Sequence, residues 1–267
     1  MGKSFKGWSR SILQYFQSTR SSSKPIWSGI YSSFDQVPLV GGGFEGRRFA
    51  EETRSYTRLL LEGAQRQKTI PTQTTCQHGL LPLLASLVAE KSGEVRILDF
   101  GGGTGAAFVH VLSSLPEWVK IKFDVVETAS ACELGRELFA DDPRVSFHTE
   151  LPDRLTSIDI VHISSALQYV SDYRKTLIDL CGFQAAYFLL ANLAAAAIPT
   201  YATAQNVYDD MVVPYWFLSV DEVIDILAAE SYLLLWKSSL ERTYDQSEFP
   251  PEYRMGQACN LLFHRRA

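Results

Sequence analysis

Cysteine is scarce in this 267-residue chain and never paired in sequence. Cys76, Cys132, Cys181 and Cys259 lie far apart with no CxxC spacing, so neither a zinc site nor a disulfide framework is indicated, and a reducing compartment is expected. Long apolar runs are missing too. None reaches the roughly 18 residues of a membrane-spanning helix, and the N-terminus lacks the unbroken apolar core of a secretory signal, so the expected location is cytoplasmic. Positive charge is in deficit: 25 Lys and Arg against 30 Asp and Glu give a formal net charge of -5. A nucleic-acid partner needs a basic face for its phosphates, and none is expected here. The chain has no G-x-S-x-G elbow, no Walker lysine behind its glycines and no His/Cys/Asp cluster at metal spacing, which sets aside serine-hydrolase, nucleoside-triphosphate and metal chemistry.

One absence is local. Residues 1–34 contain no acid, while they carry Lys3, Lys6, Arg10, Arg20 and Lys24. Residues 1–25 read as a basic, flexible leader. Their small apolar cluster, Ile12, Leu13, Tyr15 and Phe16, also suits peripheral contact with an anionic membrane or a transit peptide.

With 46% hydrophobic and 21% charged residues, the rest is composed like a soluble globular protein. Helical spacing over Arg47–Gln65 and Gly79–Gly93 marks residues 26–93 as an N-terminal helical cap. From residue 94 strands and helices alternate. Strands are expected at "VRILDF", Ile121–Glu127, Arg144–Thr149, Ile158–Ser164 and Ala185–Asn192, and helices at Thr104–Leu115, Ser130–Ala140 and Asp172–Cys181. Such alternation implies an α/β, doubly wound, mostly parallel sheet. Residues 193–218 interrupt the pattern and read as an insertion. A helix opens at Ser219 with Asp221 and Glu222 in its first turn, and Ser231–Leu240 and Cys259–Arg266 form an antiparallel C-terminal hairpin.

The chemistry concentrates in "RILDFGGGTG", Arg96–Gly105, where glycines follow a strand and open a helix. Gly101, Gly103 and Gly105 permit a tight turn and close backbone approach by a ligand. Gly101, Gly103 and Ala106 also satisfy the dinucleotide fingerprint, and Glu127 at the end of the next strand can take a ribose diol in either case. Asp99 distinguishes the two ligands. Set at the mouth of the turn, its carboxylate repels a pyrophosphate and attracts a ligand with an amino group and a sulfonium, such as S-adenosyl-L-methionine. An NAD(P)-dependent oxidoreductase remains the alternative.

"LDFGGGTG" followed by "VVET" resembles motifs I and II of the class I S-adenosylmethionine-dependent methyltransferases, and the terminal hairpin is similar to their antiparallel seventh strand. "WSGIYSSF", "SSALQYV", "TAQNV" and "PYWFLS" follow the order of a methyltransferase family of bacterial surface-polysaccharide gene clusters. The resemblance implies a Rossmann-like seven-stranded catalytic domain over 94–267, with S-adenosyl-L-homocysteine as product. It implies a small-molecule or sugar-linked acceptor, with O-methylation favoured. Where that family is expected to have an Asp-Arg pair, this chain reads "LLANLAA", with Asn192 the only polar residue, which leaves a non-catalytic cofactor-binding scaffold as a further alternative.

Cofactor contacts are expected from Asp99, Gly101, Gly102, Gly103, Gly105, Glu127 and Thr128. His148 and Thr149 are expected at the adenine edge, and Ser164 and Ser165 close the fourth strand. The acceptor contacts are expected from Tyr31, Gln168, Tyr169 and Asn192, with Gln205, Asn206, Tyr215 and Trp216 as an amide and aromatic wall on the insertion. His78, between the cap helices, is the candidate base should the acceptor be a hydroxyl. His162, inside a strand, reads as a buried, hydrogen-bonded residue.

Overall fold

A computed structural model describes residues 25–41, 43–67, 79–153 and 157–266. Residues 1–24 of the basic leader, Cys76 and His78 lie outside the described residues. No helix among the described residues is long and apolar enough to cross a membrane.

The large sheet is built from β2 (Glu94–Phe100), β3 (Lys120–Val126), β4 (Val145–His148), β5 (Ile160–Ser164), β6 (Tyr187–Leu193), β10 (Tyr232–Thr243) and β11 (Gln257–Arg265). Its spatial order is β10-β11-β6-β5-β2-β3-β4. Strands β2 to β6 pair in parallel and β11 runs antiparallel to both β6 and β10. The order reverses at β2, so the crevice for a ligand opens above the carboxyl ends of β2 and β5. Each expected strand and helix is present, with ends moved by at most three residues. The reason for the legibility is burial on both faces, which makes the parallel strands near-continuous runs of Val, Ile and Leu.

Residue alternation sorts the two faces. Leu98, Val126, Val161 and Leu190 turn toward α5 (Tyr173–Cys181) and α6 (Val220–Ala229). Ile97, Phe123, Val125 and Ile160 turn toward α2 (Leu80–Ser92) and α3 (Ala106–Ser114). α4 (Ala129–Leu138) closes that second face through Cys132, and α1 (Arg47–Gln67) lies over it with Leu60 and Leu61. α2 stops at Gly93, whose φ of 72° is the left-handed conformation that ends a helix without side-chain strain.

The segment after Asn192 departs from the expected insertion. It folds as β7 (Ala195–Ala196), β8 (Tyr201–Tyr208) and β9 (Met211–Ser219), a second sheet in the order β1-β8-β9-β7. Its outer strand β1 (Trp27–Tyr31) belongs to the stretch read as a purely helical cap. Strand alternation was hidden because β8 is buried on both sides, including its polar residues Thr203 and Gln205. Thr203 Oγ1 donates to the carbonyls of Gly29 (2.7 Å) and Ser28 (3.2 Å), so the hydroxyl is satisfied only once β1 has arrived.

A polar knot fixes α6 to this sheet. Ser219 caps the helix, and Glu222 in the first turn accepts from Tyr173 Oη (2.5 Å) and Thr200 Oγ1 (2.6 Å) and pairs with Arg174. Burial opposes ionisation of Glu222, but these three partners outweigh it and hold its carboxyl below the ordinary 4.5. A lowered native value means stability present at neutral pH and lost as pH falls below about 4.5 through the native value. Glu222→Gln is therefore expected to cost about 1–2 kcal/mol at pH 7, a melting shift of roughly 2–8 °C for a chain of this size. Thermal melts from pH 7 to 3.5 should show the gap to wild type closing; a constant gap would place the loss elsewhere than in the charge.

Candidate active site

The glycine turn rises from the end of β2. Gly101, Gly103 and Gly105 have φ of 70°, 58° and 92°, a region that costs an L side chain roughly 1–2 kcal/mol. Two of these glycines are also needed for space. A Cβ on Gly101 would lie 2.2 Å from Ala166 Cβ, and one on Gly105 would lie 2.9 Å from the Phe139 ring. Gly102 would place a Cβ 2.4 Å from Asp99 Oδ2. At Gly103 the nearest atom is Thr53 Cβ at 3.9 Å, so a Cβ there would meet α1 at ordinary contact distance without a clash. α1 is tied to the turn by Thr57, whose hydroxyl lies 2.8 Å from that of Thr104.

Two carboxylates touch the turn, from different directions. Asp99 is not at its mouth, as expected from sequence, but beneath it and 1% exposed. As the penultimate residue of β2 it points to the inner face, and the turn folds back over it. Its Oδ1 is 2.7 Å from His162 Nδ1, on the directly paired position of β5. Its Oδ2 is buried against Gly102 with no hydrogen-bond partner among the described residues. An unpaired buried carboxylate oxygen is costly and asks for a cation or donor that arrives from outside the fold.

Glu127, just past β3, accepts from the backbone N–H of Gly103 at 3.2 Å and of Thr128 at 2.7 Å. Burial pushes its carboxyl above the ordinary range; the two N–H groups pull it back, and Asp99 adds to the rise. A carboxylate offers about four lone-pair sites. The two N–H groups and the Thr128 side chain take up part of this capacity, and what is left suits a ribose hydroxyl.

The other expected residues divide. His148 Nε2 is 2.7 Å from Asp124 Oδ1, so this ring is held by β3 at the third-strand edge. Ser165 has a φ of 57° and its hydroxyl accepts from Gln168 Nε2 at 3.2 Å. Gln168 is fully buried, its Oε1 without a partner among the described residues, while Tyr169 donates to Gln205 Oε1 at 2.9 Å and sets its ring against Phe44. Ser164 and Tyr31 are partly exposed and Thr149 is exposed near their strand ends, and the Tyr31 ring lies over Gly29. Asn192 is buried with a φ of 51°, and its backbone N–H donates to Asn260 Oδ1.

Three expected wall residues are engaged within the fold. Tyr215 is 0% exposed, packed between Trp27, Tyr169 and Phe217. Trp216 is 7% exposed, stacks on Phe34 and donates from Nε1 to the carbonyl of Val170 at 3.1 Å. Asn206 spends its amide on the carbonyl of Pro25. All three hold the second sheet together, because β9 is covered on both faces. Sequence reasoning missed Thr53, Thr57 and Phe44 as neighbours of the site. The only available signal was that a polar, Thr-bearing stripe on α1 implies a partner other than the apolar core.

No family model matches the chain, and no curated protein does. Solved structures match over most of its length. The 1,6-didemethyltoxoflavin-N1-methyltransferase of Burkholderia thailandensis, with S-adenosylhomocysteine bound, is 13% identical, covers 87% of this chain and 93% of its own, and has a TM-score of 0.49. The magnesium protoporphyrin IX methyltransferase of Synechocystis PCC 6803, also with S-adenosylhomocysteine, is 10% identical over 81% of this chain and 99% of its own, at 0.47. The [4+2]-cyclase SpnF is 14% identical over 69% of this chain and 81% of its own, also at 0.47. The strand order, not these scores, establishes the Rossmann-like seven-stranded fold with an antiparallel terminal strand.

Proposed function

We propose that this chain is an S-adenosylmethionine-dependent methyltransferase acting on a small polar acceptor. The observation that carries the reading is the buried Asp99 carboxylate, one oxygen without a partner among the described residues, directly beneath a bare-backbone turn. A pyrophosphate there would meet a negative charge in a medium of low dielectric, whereas an ammonium would complete a charge-assisted pair. Glu127 supports the nucleoside half, with acceptor capacity left for a ribose hydroxyl. When bound, S-adenosylmethionine supplies a methyl group already activated by its sulfonium. The contribution of the chain is then alignment and exclusion of water, worth up to about 7–11 kcal/mol in well-oriented systems.

Calorimetric titration tests this. S-adenosylhomocysteine should bind and NAD(H) should not. Binding of NAD(H) with no heat from S-adenosylhomocysteine would turn the assignment to a nicotinamide oxidoreductase. S-adenosylhomocysteine binding without methyl label reaching any acceptor in matched cell extracts would favour the scaffold.

For the acceptor we propose a sugar or sugar-linked precursor. Support comes from the motif resemblance and from the cluster of neutral polar groups of Gln168, Tyr169 and Gln205 behind the crevice, whose chemistry suits hydroxyls better than charges. Gln205→Leu leaves the Tyr169 hydroxyl without its acceptor and is expected to raise KM for the acceptor about tenfold, the scale of one neutral hydrogen bond. The affinity for S-adenosylhomocysteine should stay within about threefold on that scale. Parallel loss of both would move Gln205 out of the acceptor site.

A further inference from the structure

We infer that His162 is a positioning residue for the ligand's amino group, acting through Asp99; this rests on the methyltransferase reading above. His162 and Asp99 sit on directly paired positions of β5 and β2, both almost wholly buried, with Nδ1 2.7 Å from Oδ1. A carboxylate can rotate about its χ2 angle, so burial alone does not decide how its plane is set and where its two equivalent oxygens lie. The imidazole decides it. Nδ1–H engages Oδ1, and this leaves Oδ2 against Gly102, where a Cβ would come within 2.4 Å. Oδ2 has no protein partner among the described residues, so the orientation serves something that is not part of the fold. The remaining structural explanation, that His162 merely fills the core, predicts an apolar residue as good as histidine. It leaves the paired geometry and the orphaned oxygen without a cause.

Side-chain shape allows a sharp test. Asparagine carries an amide N–H at about the place of Nδ1, glutamine one nearer the place of Nε2, and leucine none. Two ligands separate positioning from fold: S-adenosylhomocysteine carries the amino group, and 5′-methylthioadenosine keeps the nucleoside and the sulfur without it. In His162→Leu, affinity for S-adenosylhomocysteine should fall about 10- to 100-fold, the loss of one charge-assisted interaction. Affinity for 5′-methylthioadenosine should change less than about threefold on the same scale. His162→Asn should restore the wild-type ratio of the two affinities, and His162→Gln should not. Should the leucine variant fail to fold, the asparagine and glutamine variants decide alone. Equal weakening of both ligands, or an unchanged ratio in glutamine and leucine variants, overturns the inference. Failure of wild-type protein to bind S-adenosylhomocysteine at all overturns the methyltransferase reading instead.

Discussion

Asp99→Asn is expected to weaken S-adenosylhomocysteine about 100-fold, at the strong end for a charge-assisted hydrogen bond. The loss is large because the substitution does more than remove a charge. His162 Nδ1 donates to the Oδ1 position, so the new carboxamide turns its oxygen there and presents its NH2 where Oδ2 now lies. A donor then faces the ligand's ammonium. In the apo protein the variant exchanges a buried charged oxygen for a neutral NH2 that is equally without a partner among the described residues, so melting should change little. Calorimetry and a thermal melt on one preparation check both halves. A dinucleotide ligand would respond in the opposite direction, binding tighter once the carboxylate is gone. That result, or unaltered affinity for S-adenosylhomocysteine, would defeat the assignment.

The second large effect concerns the backbone. Gly101→Ala meets two penalties, a φ of 70° and a Cβ 2.2 Å from Ala166. Left-handed strain of about 1–2 kcal/mol and overpacking of about 1–3 kcal/mol give an expected loss of about 2–5 kcal/mol. The melting temperature should fall by roughly 4–20 °C at 2–4 °C per kcal/mol. Gly103→Ala is the control, since it carries the strain alone, with its nearest neighbour 3.9 Å away. It should cost only about 1–2 kcal/mol. Equal destabilisation of the two variants would show that contact with the Ser165–Leu167 turn is not what constrains the glycine.

These expectations join two loops that meet only in three dimensions. Ala166 follows β5 and Gly101 follows β2, and their approach closes the floor of the crevice. The same pairing of β2 with β5 brings His162 to Asp99. A histidine inside "IDIVHIS" reads in sequence as a satisfied core residue. Its partner becomes visible only when strands 63 positions apart are laid side by side.

The linear chain determined the α/β domain: apolar strands alternating with helices specify a sheet buried on both faces, and glycines behind a carboxylate specify a tight turn. Local chemistry also set the helix ends at Gly93 and Ser219. Tertiary structure alone decided that Asp99 lies under the turn rather than at its mouth, that Glu127 spends one oxygen site on Gly103, and that residues 193–218 form a second sheet. The physical reason is common to all three. Each depends on which distant strand supplies the hydrogen-bond partner: β5 for Asp99, the turn itself for Glu127, and β1 for Thr203. Sequence periodicity reports which residues are buried, whereas pairing between remote segments selects the groups they are buried against.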